Sequence, residues 1–331
     1  MSDKRVAIVG ATGAVGEELI RTLEQRDFPV AELRLLASKR TAGRKLEFRG
    51  EARTVELLGA DSFQGMDLAL FAAGGTISKE HAPRAVDAGA VVVDNSSAFR
   101  MDPDVPLVVP ELNGHTVSDH QGILANPNCS TIILCMAIWP LHQAAGLGRV
   151  VVATYQAASG AGARAMQEMR ESFRVLLGGN VHTPKVLQHS LAFNLFPHVD
   201  VFQPDAYTRE EDKMQNETRK ILGLPDLRVE ATCVRVPVER CHSEAVTVEL
   251  QRPLSPAQAR DALAAFSGVE VLDDPERARF PQPIHVSGTD SVVVGRVRQS
   301  RVFHNGLALW VVGDQLRKGA ALNAVQIAES L

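Results

Sequence analysis

The chain has 331 residues, 45% hydrophobic and 22% charged, which excludes wholesale disorder and by length asks for two domains rather than one. Its 35 Lys and Arg against 39 Asp and Glu leave a formal net charge of −4, so no global field draws it to nucleic acid or to an anionic membrane. The cysteines, Cys129, Cys135, Cys233 and Cys241, have neither zinc-site spacing nor the density of a secreted disulfide scaffold, which predicts reduced thiols, no metal and a cytoplasmic protein. The start runs straight into a strand-like segment, without the apolar core of a signal peptide.

The first third alternates short aliphatic runs with helical patterns. Residues 5–9 predict a strand and 16–26 an amphipathic helix, and further strands are expected at 33–37, 68–72, 91–94 and 107–109. Strands apolar on both faces and separated by helices predict a Rossmann-like doubly wound parallel sheet. No Asp, Glu, Lys or Arg falls between Asp119 and Arg149. The apolar heart of that stretch, 132–141, is only half of the ~20 residues a bilayer span needs, and it predicts a buried core helix. Beyond residue 149 the strands lengthen and alternate. The pairs 228–238 with 245–251 and 291–297 with 307–312 predict a mixed sheet, with helices at 163–177, 209–222 and 256–266. Residues 315–329 predict a last helix that returns to the first domain. The expected division is a nucleotide-binding domain over 1–127, joined by 315–331, and an α+β catalytic and dimerisation domain over 128–314.

Between the first strand and helix, Gly10-Ala-Thr-Gly13-Ala-Val-Gly16 spaces glycines as G-x-x-G-x-x-G. Glycine there allows a tight turn and close backbone approach, and the helix start offers free N–H groups to a pyrophosphate. An NAD-specific fold carries an acidic residue at the end of the next strand to accept from the ribose 2′-OH. Here that place holds Ser38-Lys39-Arg40-Thr41, whose hydroxyls and cations suit a 2′-phosphate, so NADP is the expected cofactor.

Cys129 lies in Ala125-Asn-Pro-Asn-Cys-Ser-Thr, a turn followed by the apolar run from Ile132. It therefore falls at or just before a helix N-terminus, where orphan N–H groups and the macrodipole favour a thiolate and can cradle an oxyanion. Cys135 sits among apolar neighbours and predicts a core residue. Cys233 lies in a strand, and Cys241 has no helix terminus to activate it. Of the ten histidines, His242 stands out at a strand end, in Arg235-Val-Pro-Val-Glu-Arg-Cys-His242-Ser-Glu.

Three blocks, Asn126-Pro-Asn-Cys129-Ser-Thr, Thr154-Tyr-Gln156-Ala-Ala-Ser-Gly-Ala-Gly162 and the one ending in His242-Ser-Glu, closely resemble the aspartate-β-semialdehyde dehydrogenase family. The loop at 10–16 fits it too, as do Ser38-Lys-Arg, Asp94-Asn-Ser-Ser-Ala-Phe-Arg100 and Gly313-Asp-Gln-Leu-Arg-Lys-Gly-Ala-Ala-Leu-Asn323. The match runs in order along essentially the whole chain. It implies Cys129 as acyl-thioester nucleophile, His242 as general acid/base and Gln156 as the residue orienting the substrate. Arg235 would fork onto the substrate carboxylate, Glu210 meet its ammonium and Asn128 contact it, with Arg100 and Lys213 as phosphate cations. The cofactor residues carried over are Gly10, Thr12, Gly13, Ala14, Val15, Gly16, Ser38, Arg40, Thr41, Asn95, Ser159, Gly160 and Gln315. Gln315 stands where many members have asparagine, and Thr41 where serine is frequent.

The implied activity is the reversible NADPH-dependent reductive dephosphorylation of L-aspartyl-4-phosphate to L-aspartate-4-semialdehyde, in lysine, threonine and methionine biosynthesis. The implied assembly is a homodimer, or two paired into a homotetramer. An N-acetyl-γ-glutamyl-phosphate reductase is the alternative with the same thioester logic, but its substrate lacks the free ammonium that Glu210 would meet. A glyceraldehyde-3-phosphate dehydrogenase fits the loop spacing poorly. A catalytically silent NADP-binding relative is the alternative from outside enzymology, set against the presence of thiol, base and phosphate cations.

Overall fold

The structure, a computed structural model, describes residues 3–331, so the first two residues of the start read above as lacking a signal peptide lie outside it. The chain forms two compact units. One comprises the residues up to Asn128 together with Ala320–Leu331, the other Cys129–Gly319.

The first unit is built on β1 (Lys4–Val9), β2 (Val30–Ala37), β3 (Lys45–Phe48), β4 (Glu51–Leu57), β5 (Leu68–Phe71), β6 (Val91–Asp94) and β7 (Ile123–Ala125). They form one sheet in the order β3-β4-β2-β1-β5-β6-β7, parallel throughout except for the β3–β4 hairpin. Both faces are covered. Ile8 and Leu70 pack into one core with Leu19 and Leu23 of the Ala14–Gln25 helix, while Val9 and Phe71 pack into the other with Ala82 and Ala85 of the Gly75–Asp87 helix. This two-sided burial is why the strands read as continuous apolar runs.

The expected strand at 107–109 is corrected. Leu107 makes only an isolated parallel bridge to Ala125, and the sheet edge is β7 instead. Pro106 and Pro110 bracket that apolar run, and neither can donate to a ladder. The β3–β4 hairpin carried no apolar signal because its side chains are mostly exposed and polar; only Phe48 and Val55 are buried. The last helix is also shorter than expected. Arg317–Ala321 forms wide π-helical turns, and the regular helix is Leu322–Glu329. Its Val325 and Ile327 enter the core of the first unit. There Asn323 Nδ2 donates to Val108 O at 2.9 Å and to Asn126 Oδ1 at 2.7 Å.

The second unit contains β8 (Leu147–Gln156), β9 (Arg228–Arg235), β10 (His242–Leu250), β11 (Val269–Val271), β12 (Val292–Gln299) and β13 (Gly306–Gly313). The sheet order is β11-β12-β13-β10-β8-β9. It is mixed, with β8–β9 and β11–β12 parallel and the other neighbours antiparallel. The helices Cys129–Ala145, Arg209–Leu222 and Pro256–Ala264 pack on one face. The first of these accounts for the uncharged stretch, since residues 130–138 are buried almost without interruption. Among the described residues no helix is long and apolar enough to cross a membrane. Strand β9 stops three residues short of the expected 238, at the approach to Pro237, which removes a ladder donor.

Glu244, in the middle of β10, is fully buried, and neither carboxylate oxygen has a hydrogen-bond partner among the described residues. Burial pushes its pKa well above the ordinary carboxylate range. A folded-state pKa raised in this way gives stability that is complete at low pH and is lost as pH climbs from the unfolded value toward the folded one, at about 1.4 kcal/mol per pH unit. Glu244→Gln keeps the shape without the titration. Its melting temperature should therefore gain on the wild type as pH rises above the ordinary carboxylate range; a difference independent of pH would show that the carboxyl is ionised and compensated.

Candidate active site

Three strand ends and one helix start meet at one edge of the second sheet. Parallel pairing sets Gln156, the last residue of β8, opposite Arg235, the last of β9. β10 runs antiparallel to β8, so its first residue, His242, arrives at the same edge. The helix that begins at Cys129 brings its N-terminus there, with Cys129 Sγ 3.3 Å from His242 Nε2. The two residues are 113 positions apart.

His242 is completely buried, and its pKa is lowered to about 3, first by desolvation and next by the Arg235 guanidinium, with Glu210 opposing. The ring is therefore neutral at physiological pH. The Ala157 N–H donates to its Nδ1 at 3.0 Å, which leaves the ring proton on Nε2, facing the sulfur. Cys129 is partly exposed, whereas the other cysteines are buried, and burial pushes the thiols of Cys135, Cys233 and Cys241 upward. Gly319, within the π-helical turns, explains how the helix start fits. A β-carbon on Gly319 would lie 2.9 Å from that of Cys129.

Arg235 is buried, and its Nη1 donates to Ala157 O at 2.5 Å, while its Nε is buried with no hydrogen-bond partner among the described residues. An unpaired buried guanidinium N–H is costly unless a ligand completes it, and a carboxylate matches its fork. Gln156 is fixed at both ends. Its Oε1 accepts from Thr154 Oγ1 at 3.2 Å, and its Nε2 donates to Glu210 Oε1 at 3.0 Å. Glu210 Oε2 in turn accepts from Lys213 Nζ at 3.1 Å, one turn along the same helix, and Lys213 also reaches Asp200 Oδ2 at 2.6 Å. Thr208 caps this helix through a capping box with Glu211, which fixes the turn presenting Glu210. Gly160 lies against the pair from the side of the Ala158–Ala161 turn. A β-carbon there would stand 3.1 Å from His242 Cε1 and 3.2 Å from Arg235 Nη1. Ser159 and Gln315 are joined to each other by a hydrogen bond.

The first unit holds the remaining residues. Gly10 has φ +83°, and a β-carbon there would come within 2.6 Å of Ala72 O. Gly13 caps the Ala14–Gln25 helix without a side chain, so the first amides, at Ala14, Val15 and Gly16, stay open to an anion. Thr12 Oγ1 lies 2.9 Å from Thr41 Oγ1, which ties this loop to the turn after β2, where Ser38 and Arg40 are exposed. Asn95 donates through Nδ2 to Phe71 O at 2.7 Å, while its buried Oδ1 is an acceptor without a partner among the described residues. An open helix start, a close-approach glycine and an orphan acceptor fit a dinucleotide. Arg100 is buried, with Nε on Asn126 O at 2.9 Å and Nη2 on Asn95 O at 2.7 Å, and Asn128 is buried just before Cys129.

Cys129, His242, Gln156, Arg235, Glu210 and Lys213 thus form one connected cluster, with Ser159, Gly160 and Gln315 at its margin. Asp200, Thr154 and Gly319 were missed by sequence reasoning. The glycine inside Arg317-Lys-Gly-Ala could have been found as an anomaly in a helical pattern. Asp200 sits in an irregular loop with no signal in its spacing.

A family model described as "Semialdehyde dehydrogenase, NAD binding domain" matches residues 5–120, and one described as "Semialdehyde dehydrogenase, dimerisation domain" matches residues 138–318. The aspartate-semialdehyde dehydrogenase of Synechocystis is 54% identical over 99% of this chain and 97% of its own length. The crystal structure of Vibrio cholerae aspartate semialdehyde dehydrogenase II complexed with ASA superposes with a TM-score of 0.96 at 44% identity, covering 100% of this chain and 98% of that one. The Candida albicans enzyme, solved with NADP, superposes with a TM-score of 0.77 at 25% identity over 100% and 98% of the two chains. With both family models matched in order and near-complete relatives at this identity, the chain belongs to the aspartate-semialdehyde dehydrogenase family.

Proposed function

We propose that the protein reduces L-aspartyl-4-phosphate to L-aspartate-4-semialdehyde with NADPH through an acyl-thioester on Cys129, and that the reverse reaction consumes inorganic phosphate. The observation that carries this reading is the 3.3 Å approach of Cys129 Sγ to His242 Nε2 at a helix start. The Nε2–H and the helix amides favour a thiolate, which attacks the acyl carbon. The C–S bond forms, the C–O bond to phosphate breaks, and the departing phosphate takes up one proton from solvent. A bound nicotinamide cofactor supplies the hydride that reduces the thioester. His242 then donates a hydrogen bond through Nε2, keeping its proton, to the oxyanion that hydride addition leaves on the former acyl carbon. Collapse of that oxyanion breaks the C–S bond, frees the aldehyde and returns the thiolate.

The unpaired Arg235 Nε supports a substrate carboxylate, and the neighbouring Glu210 carboxylate supports its ammonium. Gln156, held at both ends, orients the acyl group, with Asn128 as a further contact. Lys213 and Arg100 are the phosphate cations. The ASA held by the Vibrio relative supports the semialdehyde as product. For the cofactor, Gly10, Thr12, Gly13, Ala14, Val15 and Gly16 cradle the pyrophosphate, with Asn95 beside them. Ser38, Arg40 and Thr41 take the 2′-phosphate, a preference in line with the NADP of the Candida relative. A homodimer is supported by the matched dimerisation model, and two such dimers could pair further into a tetramer. Free cysteines throughout support a reducing, cytoplasmic setting, and the chemistry a place in lysine, threonine and methionine biosynthesis.

Cys129→Ser should lower kcat by about a thousandfold or more while Cys135→Ser leaves it within about threefold, as expected for a covalent nucleophile against a core thiol. Equal losses in steady-state assays would sink the assignment. Arg40→Ala should raise KM for NADPH by about tenfold and hardly move that for NADH, the signature of one lost charge-assisted contact to a phosphate. Lys213→Ala, assayed in the oxidative direction, should raise KM for phosphate far more than KM for the semialdehyde.

A further inference from the structure

Cys241, immediately before the catalytic histidine, is a non-glycine residue with φ +75°. A side-chain-bearing residue rarely adopts this left-handed conformation, and it persists only where the surroundings impose it. Two contacts impose it here. The thiol side chain is sealed in a cluster with Val286, Val293 and Val312. The backbone N–H of Cys241 donates to Gln315 Oε1 at 2.8 Å. Gln315 is itself buried, and its Nε2 donates to Ser159 Oγ.

We infer that Gln315 is a positioning residue, which holds the His242 imidazole against Cys129 by bracing Cys241. The contacts close into a ring. His242 Nδ1 is gripped by the Ala157 N–H at 3.0 Å, and Ser159, two residues on, is tied to Gln315. Gln315 binds Cys241, whose successor is His242. The turn carrying Ser159 is further pinned by Ala158 N to Val238 O at 2.8 Å and Ser159 N to Glu239 O at 3.1 Å, both on the segment leading to Cys241. Gln315 follows by two residues Gly313, the register partner of His242, so its side chain spans the mouth of the β10–β13 pair. Both ends of its amide are occupied by the protein, which gives it a duty besides any contact with the cofactor. An asparagine, one methylene shorter, cannot reach both partners.

This rests on Cys129 and His242 being the reacting pair. That premise has its own check in the wild type, where alkylation of Cys129 by iodoacetamide must abolish turnover. The inference itself is tested with Gln315→Ala and Gln315→Asn in the full chain, by steady-state kinetics and by the rate of Cys129 alkylation at pH 7. The expected result is a kcat lowered by about 10- to 100-fold, as for a misplaced catalytic group, with slower alkylation and KM for NADPH moved by less than about threefold. A KM raised by about tenfold or more, with kcat and alkylation rate unchanged, would make Gln315 a plain cofactor contact and overturn the inference. If either variant fails to fold, Ser159→Ala cuts the other end of the same link and should lower kcat in the same direction; an unchanged kcat there overturns it equally.

Discussion

One backbone amide governs the chemistry at the sheet edge. The Ala157 N–H, by donating to Nδ1 of His242, decides which ring nitrogen carries the proton and aims that proton at the sulfur of Cys129. The ring is buried and neutral, so it needs no counter-ion. Arg235 can then stand close by, its own pKa lowered by burial, without fixing a charged imidazolium in place. A protonated ring here would face Ala157 donor to donor. The burial that depresses the His242 pKa and the hydrogen bond that selects its tautomer therefore act together.

The polar residues around this pair share charge economically. Glu210 is the hinge, with one carboxylate oxygen on Gln156 and the other on Lys213. Lys213 carries Asp200 as a second acceptor. The ammonium is thus balanced by two carboxylates, whereas the guanidinium of Arg235 retains an N–H with no partner among the described residues. The two cations of the cluster therefore differ, one with an open donor and the other held by carboxylates.

Much of this was legible in the sequence, for identifiable reasons. Period and composition sufficed for the doubly wound sheet because its strands are buried on both faces, and for the Cys129 helix because it is buried almost all round. Cys129 itself could be chosen among the thiols by the Asn-Pro-Asn turn before an apolar run. His242 stood out at a strand end but its role, like those of Arg235 and Gln156, came from family resemblance, since strand ends that meet only in three dimensions leave no mark in local spacing. The β3–β4 hairpin was lost because its side chains face water, and the 107–109 run misled because prolines on either side deny it a ladder. Asp200 and the brace on Cys241 were out of reach because a loop aspartate and a positive φ are decided by tertiary contacts.

The path of the last residues has a consequence for how the molecule is made. Ala320–Leu331 belongs to the first unit, and Val325 and Ile327 fill a core whose other members come from the opening strands. On a ribosome the sheet of the first unit must therefore wait, with one flank of its interior unsealed, until residues 320–331 have been made. Cys129–Gly319, which contains the Cys129 thiol and the His242 imidazole, is complete before that closure. The part synthesised first is the last to be finished.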